Sequence, residues 1–205
     1  MTTATIDPNQ HDRFVLKQRF RLVINQYGFA LSDAEDETFC FVEQRRFKFK
    51  EDIRFYGDDS KRHELLRIKA RQRFDPRATY DVTTPDSVRV GGIQKVFGAS
   101  LLRSTYALSD AGGAEVARAR EKNLAVALLR RLVGFVPYLD NVADWLPIPY
   151  DFEFRSGERV IGTHSRRRFQ WRDVYDIDMS ADTGRSVDRR LVLALAVGMD
   201  ALQAR

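Results

Sequence analysis

The chain has 205 residues, of which 43% are hydrophobic and 31% charged, and this balance predicts a soluble globular protein of one domain or at most two small ones. A single cysteine, Cys40, excludes an intramolecular disulfide, and no stretch approaches the roughly 20 apolar residues that span a bilayer. The net charge of +5 permits binding to the phosphate groups of lipids or nucleic acids. A solvated surface of mixed charge is the alternative explanation.

The N-terminal segment, residues 1–12, is polar and lacks the apolar core of a signal peptide. We expect a flexible tail there, followed by a single domain over residues 13–205. Together with the low cysteine content, this predicts a cytoplasmic protein that can also lie at the surface of a membrane.

A short motif recurs along the chain, in which an apolar pair, a basic run and a phenylalanine lead through a turn to an aromatic or β-branched residue. Tyr27, Ile53, Tyr80 and Tyr106 mark this last position in four copies and are spaced 26, 27 and 26 residues apart. Each copy is too short for a strand–helix–strand unit, and its composition favours two antiparallel strands joined by a tight turn. Such hairpins in series predict a meander of about ten or more strands, which must split into two sheets or close into a barrel.

The clearest predicted strand covers residues 66–74, where apolar and basic residues alternate with the period of two of a half-buried strand. The basic side chains share the outer face, which we interpret as a candidate site for an anionic ligand or lipid. The alternative is an outer barrel face that is polar only because it meets water. Nucleic-acid binding is not expected, because the aromatic residues fall on inward faces. With two lysines of the neighbouring hairpin, the candidates are Arg67, Lys69, Arg71, Arg73, Lys48 and Lys50.

An insertion at residues 114–149 interrupts the repeats, and its first part, residues 114–136, is predicted to be a helix after the Gly112-Gly113 turn. More than half of the circumference of this helix is apolar, so it needs cover. It could close one mouth of a barrel or pack on the wall, form a homodimer interface, or lie in a membrane surface. The contact candidates for the last two roles are Arg130, Arg131, Leu132 and Phe135.

A second helix is predicted over residues 187–203, with Ser186 as its N-cap. From Leu191 to Met199 it carries no charge and is apolar all the way round, which indicates burial on every side because it is too short for a membrane. Only a closed wall of strands can surround a helix in this way. The predicted fold is therefore mainly β: a closed antiparallel barrel around a buried C-terminal helix, with one helical insertion.

The chain resembles the tubby-like superfamily, and within it the LURP-one-related proteins and the phospholipid scramblases. The resemblance is carried over residues 14–110 and 150–205 by the repeated strand pairs, the basic-aromatic strand starts, the strand ends such as Tyr106 to Asp110, and the final apolar helix. It implies about twelve strands around a central helix. It also implies a binding role, since tubby domains bind phosphoinositides and scramblases act at membranes. No scramblase-like calcium segment is recognisable, so scrambling is not expected.

The sequence offers little support for catalysis. His11, His63 and His164 share no metal-ligand spacing with one another or with Cys40, and the aspartates that follow residue 172 lack the spacing of a calcium loop. We therefore expect no cofactor, no metal and no enzymatic activity, and a partner that is either anionic membrane lipid or another protein. The alternative is a small apolar ligand, or an unrecognised enzyme site, at a barrel mouth.

Overall fold

Twelve antiparallel strands form a closed barrel in the computed structural model, which describes residues 6–20, 24–45, 52–71, 79–96, 104–122, 151–168 and 173–203. Each strand pairs with its neighbours in sequence, and β1 pairs with β12 to close the wall. The predicted barrel is confirmed. The strands are β1 Arg13–Phe20, β2 Ile24–Leu31, β3 Ala34–Arg45, β4 Asp52–Tyr56, β5 Glu64–Ala70, β6 Thr79–Thr83, β7 Arg89–Lys95, β8 Thr105–Ser109, β9 Glu115–Glu121, β10 Phe152–Ser156, β11 Arg159–Arg166 and β12 Val174–Asp178.

The four regularly spaced residues of the sequence motif face the interior of the barrel. Tyr27, Ile53, Tyr80 and Tyr106 lie on alternate hairpin strands, and each is at most 7% exposed. Their regular spacing follows from the length of one hairpin, because each new pair of strands brings the same position back to the same level of the wall. The prediction that each repeat is a hairpin is confirmed by the antiparallel pairing of consecutive strands.

Strand β9 corrects the prediction of a helix that starts at residue 114. Residues 115–121 instead form a strand in which Ala117 and Ala119 face inward while Arg118 and Arg120 face outward. Alanine and arginine are both good helix formers, so local propensity concealed the alternation, and pairing with β8 and β10 decides the structure. Residues 123–150 lie outside the described part of the chain.

The barrel interior is filled by helix α1, Arg189–Gln203. Every residue from Leu191 to Met199 is buried, as the absence of a polar side predicted. Burying its six large apolar side chains contributes on the order of 10 kcal/mol as an upper estimate. The wall comes closest at β7, where a Cβ on Gly91 would lie 2.2 Å from the Ser109 carbonyl oxygen and 2.8 Å from Leu191 Cδ1. Only glycine fits at this contact.

The start of α1 differs from the prediction. The helix begins at Arg189 rather than at residue 187, and Asp188 caps it by accepting a hydrogen bond from the Arg190 amide at 2.9 Å. The Ser186 hydroxyl instead donates to Asp182, at 2.7 Å. Among the helices in the described ranges, none combines the length and the apolar composition required to cross a bilayer.

A buried ion pair holds the start of α1 to the barrel rim. Arg189, which is 1% exposed, donates to Asp182 at 2.7 Å and to Asp12 at 2.7 Å. The Arg189 amide also donates to the Asn9 side chain, which lies in a 3-10 turn, Pro8–Gln10. Asn9 and Asp12, which belong to the segment predicted to be a flexible tail, therefore contact the first residue of the helix.

Candidate anion-binding surface

The predicted basic strand is β5, and its side chains divide between the two sides of the wall as expected. Leu66 and Ile68 are buried in the core, while Arg67 and Lys69 lie on the outer face. Ala70, predicted to face inward, is exposed because β5 ends there. The three arginine and lysine candidates that the structure describes, Arg67, Lys69 and Arg71, therefore share one outer surface.

The carboxylate of Glu64 partly neutralises this surface near the start of β5. Glu64, at the start of β5, accepts a hydrogen bond from Arg67 at 2.7 Å, and its second oxygen lies 3.6 Å from Arg54. These groups are only partly exposed, so their attraction is stronger than that of a fully solvated pair. The contact with Glu64 therefore fixes the position of the Arg67 guanidinium group on the outer face of β5.

Asp81 of β6 occupies the centre of the same surface. Arg71 donates to both of its oxygens, at 2.8 and 3.1 Å, and Arg89 of β7 lies 3.4 Å away. The hydrogen bond from Arg71 lowers the pKa of Asp81, an effect that burial opposes and that the charges of Arg71 and Arg89 reinforce. This carboxylate therefore stays ionised and fixes two arginines around it.

The outer side of β4 to β7, which we call the basic face, retains an excess of positive charge. Lys69 is exposed and has neither a hydrogen-bond nor an ion-pair partner among the described residues. Strand register places it beside Asp81 and opposite Asp52. The outward positions hold five basic residues, Arg54, Arg67, Lys69, Arg71 and Arg89, against three acidic ones, Asp52, Glu64 and Asp81.

A recess of about 310 Å³ lies beside Arg71 and Arg89. Its floor includes Gly92, which faces outward from β7 and supplies no side chain. A Cβ at this position would stand 2.8 Å from Ser109 Oγ and 3.2 Å from Arg89 Nη2. The basic face therefore has a concave part lined by two guanidinium groups.

Several candidate residues cannot be placed. Lys48 and Lys50, between β3 and β4, and Arg73, after β5, lie outside the described residues. The same holds for the whole contact set predicted for the insertion: Arg130, Arg131, Leu132 and Phe135.

A second basic surface escaped the sequence interpretation. Arg118 and Arg120 of β9 and Arg155 of β10 line an outer groove of about 540 Å³, which we call the arginine groove. The prediction of a helix over Arg118 and Arg120 hid it, because a helix would place these two residues on different sides. The alternation of alanine and arginine in residues 117–120 is the signal that could have revealed it.

Two side chains that could take part in chemistry, those of Cys40 and His164, are buried in the interior. Burial raises the pKa of the Cys40 thiol to about 12, which leaves it protonated and unreactive. His164 of β11 is 2% exposed, and neither of its ring nitrogens has a hydrogen-bond partner in the described part of the chain. Within those ranges, no group of three or more histidine, cysteine or acidic residues could hold a metal ion.

A closed antiparallel barrel of twelve strands around a helix is the architecture expected of a tubby-like protein. A family model described as LURP-one-related matches residues 38–200. The chain therefore belongs to the LURP-one-related family, which is part of the tubby-like superfamily. This confirms the resemblance found in the sequence. No curated protein and no solved structure matches the chain.

Proposed function

We propose that this protein is a non-enzymatic binding domain that attaches to anionic membrane lipid through its basic face. The observation that carries the proposal is the excess of basic over acidic groups on β4 to β7, with Lys69 exposed and unpaired within the described residues. Proteins of the tubby-like family are generally non-enzymatic, which agrees with a binding role. A protein partner with an acidic surface is the second occupant that this face would accept.

The expected attraction is modest and depends on salt. A basic group near an anionic bilayer contributes about 1 kcal/mol, and the acidic residues on the same face offset part of the sum. Screening limits the attraction to a Debye length, which falls from about 10 Å at 0.1 M salt to about 3 Å at 1 M. Binding should therefore be reversible and weaker at high salt.

Cosedimentation with vesicles tests the proposal. The protein should pellet with vesicles of phosphatidylcholine and phosphatidylserine at 0.1 M salt, and not with phosphatidylcholine alone. Lys69→Gln removes one charge without breaking an ion pair of the described residues, and it should weaken binding about fivefold. Arg159→Gln, an exposed change on β11, is the matched control and should leave binding unchanged.

Absence of pelleting at either salt concentration would contradict the membrane proposal. Equal binding of the Lys69→Gln and Arg159→Gln variants would contradict the assignment to the basic face.

A further inference from the structure

The arginine groove crosses the outer side of β8, β9 and β10. Its lining includes Arg118, Arg120 and Arg155, the apolar residues Val96 and Val116, and the Gly157-Glu158 turn. Its volume of about 540 Å³ falls in the range of sites that hold small organic ligands. The groove thus has room for a charged group with an attached organic part.

Two of these arginines lie side by side on neighbouring strands. Arg118 lies directly opposite Arg155 in the register of β9 and β10. Like charges in this position destabilise a sheet, so the arrangement has a cost that the fold must offset.

Carboxylates on the same strands supply that offset. Arg118 donates to both oxygens of Glu115, at 2.6 and 3.1 Å, and Arg155 donates to Glu153 at 3.1 Å. Arg155 also donates to the Glu158 carbonyl oxygen at 2.8 Å. These contacts fix the two guanidinium groups at the groove and use only some of the five N–H donors that each one carries.

Of the three arginines in the groove, Arg120 has the fewest hydrogen-bond and ion-pair partners among the described residues. It lies on the same outer face as Arg118, is exposed, and forms neither a hydrogen bond nor an ion pair within the described residues. Glu153 lies opposite Arg120 in register, but its carboxylate bonds to Arg155. The groove therefore presents an unpaired guanidinium group next to two that carboxylates already position.

We propose that the arginine groove binds a phosphate group, with Arg120 as the main donor and Arg118 and Arg155 as neighbouring donors. Guanidinium groups recognise phosphate through paired hydrogen bonds, and several of them around one anion suit the double charge of a phosphate monoester. The phosphate could belong to a soluble ester or to a lipid headgroup, because the chemistry of recognition is the same.

The position of the groove favours a soluble ester. Strand β9 lies about a third of the way round the twelve-stranded barrel from β5. When Lys69 contacts a membrane, the groove is therefore turned away from that surface. The two sites can be occupied independently.

Titration calorimetry with glycerol 3-phosphate, at constant ionic strength, tests the proposal for the soluble source. Arg120→Gln should weaken binding tenfold or more, and Arg118→Gln should also weaken it. Arg62→Gln, an exposed change in the connection between β4 and β5, removes the same charge elsewhere and should leave binding within twofold of the wild type. Because Arg120 has no partner among the described residues, its variant should retain the wild-type melting temperature.

A second arm uses vesicles of phosphatidylcholine with and without phosphatidic acid. Binding of glycerol 3-phosphate that depends on Arg120 supports a soluble ligand, and binding only to phosphatidic acid vesicles that depends on Arg120 supports a lipid headgroup. Absence of Arg120-dependent binding in both arms would overturn the proposal. The Lys69→Gln variant separates the two sites, because it should bind glycerol 3-phosphate normally whether or not the basic face contacts membranes.

Discussion

His164 is a buried base that the fold keeps uncharged. Its ring stacks on Tyr175 with centroids 4.9 Å apart, and Phe152 meets it edge-on at 6.4 Å. Burial lowers the pKa of His164 from 6.5 to about 4. The unfolded chain therefore takes up a proton at a higher pH than the folded protein does, which links stability to pH.

The stability of the barrel should fall as the pH is lowered from about 6.5 toward 4, because the protonated imidazole is accepted only by the unfolded state. The loss should reach about 2 kcal/mol by pH 5. Urea unfolding at pH 7 and pH 5 would measure it. In His164→Phe the difference between the two pH values should shrink by about this amount, whereas His63→Gln, at an exposed site, should keep it. An unchanged difference in His164→Phe would refute the assignment.

At the scale of elements, helix α1 begins with a charge of the wrong sign. A helix N-terminus carries a partial positive charge, which disfavours arginine in the first turn. Arg189 is tolerated there because Asp182 and Asp12 surround it with negative charge. Burial would raise the pKa of Asp182, but hydrogen bonds from Arg189 and Ser186 outweigh this effect and lower the pKa to about 2. The stabilisation from Asp182 is thus complete above about pH 4 and is lost as the pH falls toward 2.

Asp182→Asn should destabilise the protein by about 3–5 kcal/mol at neutral pH, because it leaves Arg189 buried with only Asp12 as a charged partner. Arg190→Gln provides the comparison, since the Arg190–Asp188 pair is partly exposed and should contribute less than about 1 kcal/mol. Chemical denaturation of both variants gives the two values. Similar losses would show that the Asp182 pair does not anchor the helix.

At the scale of the whole molecule, the barrel was predictable because one segment has no polar side. The run from Leu191 to Met199 requires an enclosing wall, and the hairpin repeat supplies the strands for it. Strand β9 was missed because alanine and arginine favour helices locally, and pairing with distant residues overrides that preference. The pairing of Arg71 with Asp81 was equally hidden, because it depends on the register of β5 and β6.

Removal of residues 187–205 should leave an insoluble chain. Without the helix, the apolar inward faces of the twelve strands would be exposed to water. A chain that ends at Gln203 keeps all of α1 and should remain folded. Sedimentation of expressed protein and far-ultraviolet circular dichroism would compare the two. A cooperatively folded, soluble protein without residues 187–205 would show that the barrel does not require the helix to fold.

The order of the elements along the chain has a consequence for biosynthesis. The filling of the barrel follows β12, so a ribosome completes all twelve strands before it makes α1. A helix cannot thread into a finished cylinder, and the seam between β1 and β12 joins strands that are far apart in sequence. We therefore expect β1 and β12 to pair last, after the helix has packed against the other strands. Until the barrel closes, the nascent polypeptide has an open sheet with an exposed apolar face. In this state it would most need a chaperone.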